Sequence, residues 1–250
     1  MENRNMKTPF LVFIAFAAAV LMAFQAAPQR MISGDPLIVG FERSTVASVA
    51  DAVDQITGER GFMSHDMRPR VEGKIVGRAA TALVRPAPRE NATPANAVRH
   101  SGEMIDSAQT GEIGVIVMED GLDVAAIGGL MGTAAKARGM AGFVIDGGVR
   151  DVAELREMKL PTYARSVSPA TAVSRYASVS RQQSVRCGGV LVSPGDIIVA
   201  GEDGVVRVPK ERAAEVLKRA QEIDERETKM VPFIKQYRSL QKAVQVFNRI

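Results

Sequence analysis

The sequence predicts an α/β protein with an apolar N-terminal leader and a C-terminal helical tail. Three observations predict it. Short apolar runs such as "IGVIVM" (113–118) and "GFVID" (142–146) alternate with segments of helical period, the pattern of strands joined by crossover helices. From Ser184 the pattern changes to short β-rich segments separated by Pro-Gly-Asp and Glu-Asp-Gly turns. Residues 10–24 are apolar without interruption and follow Arg4 and Lys7.

That leader, residues 1–27, reads as a secretory signal peptide: a basic stretch, then an apolar run. The run is short for a membrane span, which needs about 20 residues. Because "AFQAAPQ" lacks a clean small-x-small pair, an uncleaved membrane anchor is the alternative. Either way the body is expected outside the cytoplasm, periplasmic or secreted, touching a membrane only through this anchor. Residues 28–43 read as a Pro-containing linker, and residues 44–230 as the folded domain.

Within the domain, "STVASVADAVDQITG" has the period of a helix. Ser44 or Thr45 is its N-cap, and Val46, Val49, Ala50, Val53 and Ile56 share one apolar face. "KIVGRAATALVRP" is a strand pair or one long bent strand, closed by Pro86, and residues 87–97 read as a surface loop. Strand "IGVIVM" leads through "EDGLDVAAIGG" into helix "LMGTAAKARGM". Strand "GFVID", a Gly147-Gly148 turn, short helix "DVAELREMK" and strand "PTYARSV" follow. "SVRCGGVLVSPGDIIVAGEDGVVRVP" is a β meander. Lys210 to Met230 form a charged amphipathic helix with Ala213, Val216, Leu217 and Ala220 on one face, and residues 231–250 a helical extension.

Composition narrows the function. The 250 residues are 46% hydrophobic and 24% charged, enough for one domain with a substantial core. Trp is absent, aromatics are few, and the +4 formal charge is interspersed rather than massed, so no nucleic-acid groove is indicated. Cys187 is the lone cysteine, which excludes an intramolecular disulfide and a cysteine-based zinc site. His65 and His100 stand far apart, in no ligand-like spacing.

Two places can carry chemistry. Gly128-Gly129-Leu130-Met131 opens a helix directly after a loop, where glycines admit a ligand to the backbone and free N–H groups attract an anion. Arg150-Asp151 follows the next strand, and successive α/β loops often emerge at one sheet edge. Arg150 can grip a carboxylate with two parallel N–H bonds. Asp151 can hold a hard divalent cation whose other ligands are mostly water, as Mg²⁺ prefers. The competing reading is a salt-bridged turn in which Asp151 merely N-caps "VAELREM".

"GGLMGTAAKARGMAGFVIDGGVRDVAELREM" and "VSPGDIIVAGEDGVVRVP" together resemble the RraA-like family. That family holds 4-hydroxy-4-methyl-2-oxoglutarate aldolases, regulators of ribonuclease activity, and proteins misnamed dimethylmenaquinone methyltransferases. The resemblance runs from about Ser44 to Met230. It implies a swivelling β/β/α fold, and homotrimers or hexamers with sites between subunits. It also implies lyase activity on small 2-oxo acids, by retro-aldol cleavage to pyruvate or by oxaloacetate decarboxylation. Carried over residue by residue, Gly128, Gly129, Leu130 and Met131 with Arg150 bind the substrate, Arg150 and Asp151 are catalytic, and Asp151 holds Mg²⁺ or Mn²⁺.

Two departures stand out. The family's aldolases have an acidic residue ahead of the Arg-Asp pair that orients a metal-bound water; here that position is Gly129. A family acid reaching the neighbouring subunit's site matches Glu227, with Glu225 the alternative. The leader is the second departure: a ribonuclease regulator needs cytoplasmic partners, so the leader argues for an exported lyase or an exported small-carboxylate or metal-binding protein.

Overall fold

Every residue of "IGVIVM" is buried, which requires a strand in mid-sheet covered on both faces. The structure, a computed structural model, describes residues 34–248. The leader therefore lies outside the described residues. Among those residues no helix is long and apolar enough to cross a membrane.

The chain runs through α1 (Pro36–Arg43), α2 (Val46–Thr57), β1 (Arg68–Val71), β2 (Ile75–Pro86), α3 (Pro94–Ser107), β3 (Ile113–Met118), β4 (Ala125–Ile127) and α4 (Gly129–Ala137). It continues through β5 (Gly142–Val149), α5 (Val152–Glu157), β6 (Thr162–Val167), β7 (Tyr176–Arg181), β8 (Val185–Cys187) and β9 (Val190–Val192). It ends with β10 (Ile197–Gly201), β11 (Gly204–Val208), α6 (Ala213–Tyr237) and α7 (Leu240–Phe247).

Nine strands form one sheet in the order β1-β6-β5-β3-β2-β10-β11, with β4 added to β5 and β7 to β2. The centre, β2 to β6, is parallel, as crossover helices dictate. β2 is a single long strand: Ile75–Arg78 pair with β10, and Ala79–Val84 with β3. The sheet curls back on itself, because Phe62 bridges to Val206 and Gly61 C=O accepts the Arg207 N–H at 2.9 Å. This mixed, nearly closed sheet with its C-terminal helix is the swivelling β/β/α architecture.

Three apolar clusters hold it together. Met104, Ile105, Phe143, Ile145, Leu155 and Leu160 pack α3, α4 and α5 on one face. Val115, Val144, Tyr163, Cys187 and Val192 fill the space under the β8–β9 hairpin. Phe41, Val49, Val53, Val216, Ala220 and Ile223 join α1, α2 and α6 to β10 and β11.

Several elements differ from the sequence reading. Residues 36–43 of the expected linker are helix α1, started by Pro36 and capped by Asp35, whose carboxylate also pairs with Arg78 at 2.7 Å. The expected loop at 87–97 ends in α3, where Thr93 accepts the Asn96 N–H and Pro94 opens the first turn. Its stripe of Ala97, His100, Ser101, Met104 and Ile105 is too polar to read as apolar period, yet all five are buried. β7 was not anticipated. Thr45 caps α2. α6 passes through Met230 and contains Pro232, so no break separates domain from extension there. Lastly, Gly147 and Gly148 lie inside β5 rather than in a turn. A Cβ on Gly148 would sit 2.5 Å from the Val124 carbonyl, so the approach to β4 packs directly on the β5 backbone there.

Candidate functional site

The site is made by the short parallel pairing of β4 with the end of β5. Ala125 pairs with Gly148 and Ile127 with Val149, and the Arg150 N–H then donates to the Ile127 carbonyl at 3.0 Å. Gly128, which starts α4, and Arg150-Asp151, which precede α5, therefore leave the sheet side by side at the carboxyl ends of their strands. That is where open α/β sheets present their ligand crevices.

Two glycines make the approach close. A Cβ on Gly128 would lie 2.6 Å from Asp151 Oδ2 and 2.9 Å from Arg150 Nε, so no other residue leaves both side chains where they are. The Gly132 N–H to the Gly128 carbonyl, 2.9 Å, is the first rung of α4. The N–H groups of Gly129, Leu130 and Met131 precede that ladder. Gly129's is taken: it donates to Asp151 Oδ2 at 2.8 Å. Those of Leu130 and Met131 are not used by the helix. Met131 packs its side chain against the main core, while Leu130 is 90% exposed.

Asp151 occupies the N-cap position of α5, but its side chain makes no cap bond there. It sits at φ 54°, ψ 37°, the left-handed region that Asp tolerates better than most residues. This backbone aims the carboxylate across the crevice at α4, which overturns the simple N-cap reading. Arg150 Nε lies 3.7 Å from Asp151 Oδ2, with both side chains about two-fifths exposed, so the pair is open to solvent and to a ligand. Among the described residues no three His, Cys, Asp or Glu side chains gather to hold a metal. Asp151 offers carboxylate oxygen, a donor type that hard divalent cations take.

A carboxylate that sequence reasoning passed over also lies here. A Cβ built on Gly129 would overlap Glu154 Oε2. The spacing was readable: Glu154 is one helical turn after Asp151.

Other polar and titratable residues lie elsewhere. Asp146 is a fastener: its carboxylate accepts from Arg165 Nη1 at 2.9 Å and from the Gly188 N–H at 2.7 Å, while Arg165 also pairs with Asp66 at 2.8 Å. Cys187 is fully buried beside it, and burial pushes its thiol well up, so it is an inert core residue. His100 is buried on α3, and His65 is exposed. Glu227 is exposed on α6, a helix of the α1–α2 cluster rather than of the α4–α5 cluster that carries the site.

An uncharacterized protein of Methanocaldococcus jannaschii is 39% identical over 46% of this chain and 55% of its own length, so the chain spans about half of that relative. A protein of Halalkalibacterium halodurans, named as a candidate 4-hydroxy-4-methyl-2-oxoglutarate aldolase, is 29% identical over 73% of this chain and 81% of its own. Among solved structures, Streptomyces coelicolor RraAS2, described as an unusual member of the RNase ES inhibitor RraA protein family, is 26% identical with a TM-score of 0.69, over 78% of this chain and 96% of that one. The sequence profile described as Aldolase/RraA matches residues 46–207, well over half of the length and both halves of the crevice, and the chain belongs to the RraA-like family.

Proposed function

We propose that this protein is a divalent-metal-dependent lyase of small 2-oxo acids, cleaving an aldol substrate to pyruvate, decarboxylating oxaloacetate, or both. The observation that carries the reading is the gathering of Arg150 and Asp151 at the glycine-led start of α4, where Asp151 accepts the Gly129 N–H at 2.8 Å and lies 3.7 Å from Arg150 Nε. The names borne by aligned relatives support the same reaction class.

In this reading Arg150 pairs with the substrate carboxylate through its planar fork. The N–H groups of Leu130 and Met131, at the positive end of α4, face the same anion. Asp151 holds Mg²⁺ or Mn²⁺, and the cation supplies Lewis-acid polarisation of the 2-oxo group. In retro-aldol cleavage the C3–C4 bond breaks and its electron pair moves toward the 2-oxo group. The C4 hydroxyl loses its proton to become a carbonyl, and one proton returns to C3 to give pyruvate. Decarboxylation needs the same electron sink but no hydroxyl deprotonation.

Leu130, 90% exposed beside the crevice, is a large apolar side chain that a second copy would cover. A trimer or hexamer, with Glu227 of a neighbouring copy approaching the site, is the assembly proposed. The leader makes the protein exported or membrane-anchored. Gly129 favours a second reading, an exported binder of small carboxylates without turnover. Pyruvate release from 4-hydroxy-4-methyl-2-oxoglutarate and from oxaloacetate, with and without Mg²⁺ or Mn²⁺, tests the proposal. Metal-dependent release supports it; saturable oxalate binding with no release supports the binder.

A further inference from the structure

The chain ends in a helical hairpin that lies beyond the family-matched residues 46–207. Met230 is the last buried residue of α6, and Ala243 is the only buried residue of α7. The hairpin therefore projects past the apolar clusters instead of filling them, and α7 packs chiefly back along the end of α6. Arg238, in the left-handed conformation, ends α6 at the turn, and Arg226 Nη1 donates to the Asn248 carbonyl at 3.2 Å. Phe233 joins the two helices: its ring lies 4.5 Å from that of Tyr237 and 5.6 Å, edge-on, from that of Phe247.

That packing leaves other apolar groups in solvent. Val231 is 48% exposed, Tyr237 49%, Leu240 56% and Val246 62%. Every charged side chain beyond Glu227 is positive, and Lys229, Lys235, Arg238 and Lys242 are all exposed. The rest of the described chain mixes both signs, so this end alone pairs exposed apolar surface with charge of one sign.

We propose that this hairpin docks the protein on an anionic lipid surface, independently of the crevice and of the leader. Tyr237 and Leu240, on either side of the turn, enter the boundary between headgroups and acyl chains, where amphipathic rings settle. The four cations keep their charged heads at the headgroup level and meet the lipid phosphates. Charge decides against the other occupants. A second copy meeting the first tip to tip would set like charges against each other. A nucleic acid would answer the cations through its phosphates but leave Val231, Leu240 and Val246 without apolar partners.

The chain has no Trp, so Tyr237→Trp in the full chain places its sole indole at the tip, and the emission reports this surface rather than the leader. Leu240→Trp, across the turn, should respond alike and serves if Tyr237→Trp lowers the melting temperature. Vesicles of phosphatidylglycerol and phosphatidylcholine in equal parts should shift the emission to the blue; phosphatidylcholine alone should not. Salt at about 1 M, where the screening length is about 3 Å, should weaken the shift. Lys235→Gln with Lys242→Gln, in the same background, should raise the lipid concentration at half-maximal shift about 30-fold, each cation beside such a surface contributing about 5-fold. No shift with the anionic vesicles, an equal shift with phosphatidylcholine, or an unmoved midpoint in the double variant would overturn the proposal. A blue shift that grows with protein concentration without lipid would overturn it in favour of a second copy. One produced by polyuridylate and not by vesicles would overturn it in favour of nucleic acid.

Discussion

Asp151 stands at the head of one helix and caps another: its Oδ2 accepts the Gly129 N–H at 2.8 Å, past the paired ends of β4 and β5. One carboxylate thus fixes the start of α4 relative to the end of β5, and its left-handed backbone makes that reach geometrically available. Structural and chemical duties fall on the same atoms, and substitution can separate them.

Asp151→Asn retains an oxygen for the Gly129 amide but removes the charge. Its melting temperature should stay within a few degrees of wild type, while Mn²⁺ binding falls below calorimetric detection. Asp151→Ala should lose the metal and also destabilise the fold by about 0.5–2 kcal/mol, the usual effect of deleting a helix cap. Undiminished Mn²⁺ affinity in the Asn variant would show that Asp151 is not the ligand.

Arg150 offers a different separation. Lys keeps the charge but not the bidentate fork. Arg150→Lys should raise KM for a 2-oxo acid roughly 10-fold, about 1.4 kcal/mol, with a smaller effect on kcat. Oxalate affinity, measured in the presence of Mn²⁺, should drop in parallel. An unchanged KM would place the substrate carboxylate elsewhere, on the α4 amides alone.

The legibility of this site follows from where its determinants lie. Strand "IGVIVM" and the crossover helices announced themselves because burial on both faces leaves only apolar residues. Gly128, Arg150 and Asp151 were readable because backbone approach and charge demand particular residue types. β4, three residues long, was not readable, yet its pairing with β5 is what brings the two segments together. Glu154 was passed over although its spacing from Asp151 was readable, because its approach to Gly129 joins two helices. Helix α3 was missed because its buried face includes His100 and Ser101, whose side chains meet Ser178 and Met131.

The Pro-Gly-Asp turn carries stability rather than chemistry. Asp196 is fully buried, and its carboxylate accepts from the Ser193 and Lys210 amides and, at 2.8 Å, from Arg207 Nε. Removing one partner of such a pair typically costs about 3–5 kcal/mol, because the other charge is stranded. Asp196→Ala should therefore shift the urea midpoint sharply downward. A loss below about 1 kcal/mol, the scale of an exposed pair, would mean that Arg207 finds a new partner.

Residues 1–35, fused to a reporter active only outside the cytoplasm, should give activity. Fractionation then separates the two forms: a soluble mature reporter indicates cleavage, and a membrane-bound one an anchor. A silent fusion would return the protein to the cytoplasm and revive the regulator reading.

The last prediction concerns acid. His100 is 2% exposed on α3, and burial pushes its pKa down to about 4, the Ala97 and Ala126 carbonyls offsetting only part of the shift. The Ser178 hydroxyl lies 2.8 Å from the His100 backbone N–H, which donates to it, and 3.2 Å from the ring Nδ1. Because the folded pKa lies below the ordinary histidine value of 6.5, the unfolded chain binds more protons between pH 6.5 and 4. The stability that neutral His100 contributes is complete above about pH 6.5 and is lost as pH falls toward 4, on the order of 3 kcal/mol in all. His100→Gln, which cannot titrate, should flatten the dependence of unfolding free energy on pH across that window by roughly this amount. α3 also supports the crevice, since Ser101 Oγ contacts Met131 Sδ at 3.2 Å, so loosening of α3 should reach the start of α4. Wild-type oxalate affinity should accordingly decline over the same window in which stability falls, and less so in His100→Gln. Parallel pH curves for wild type and variant would show that His100 is not the group lost to acid.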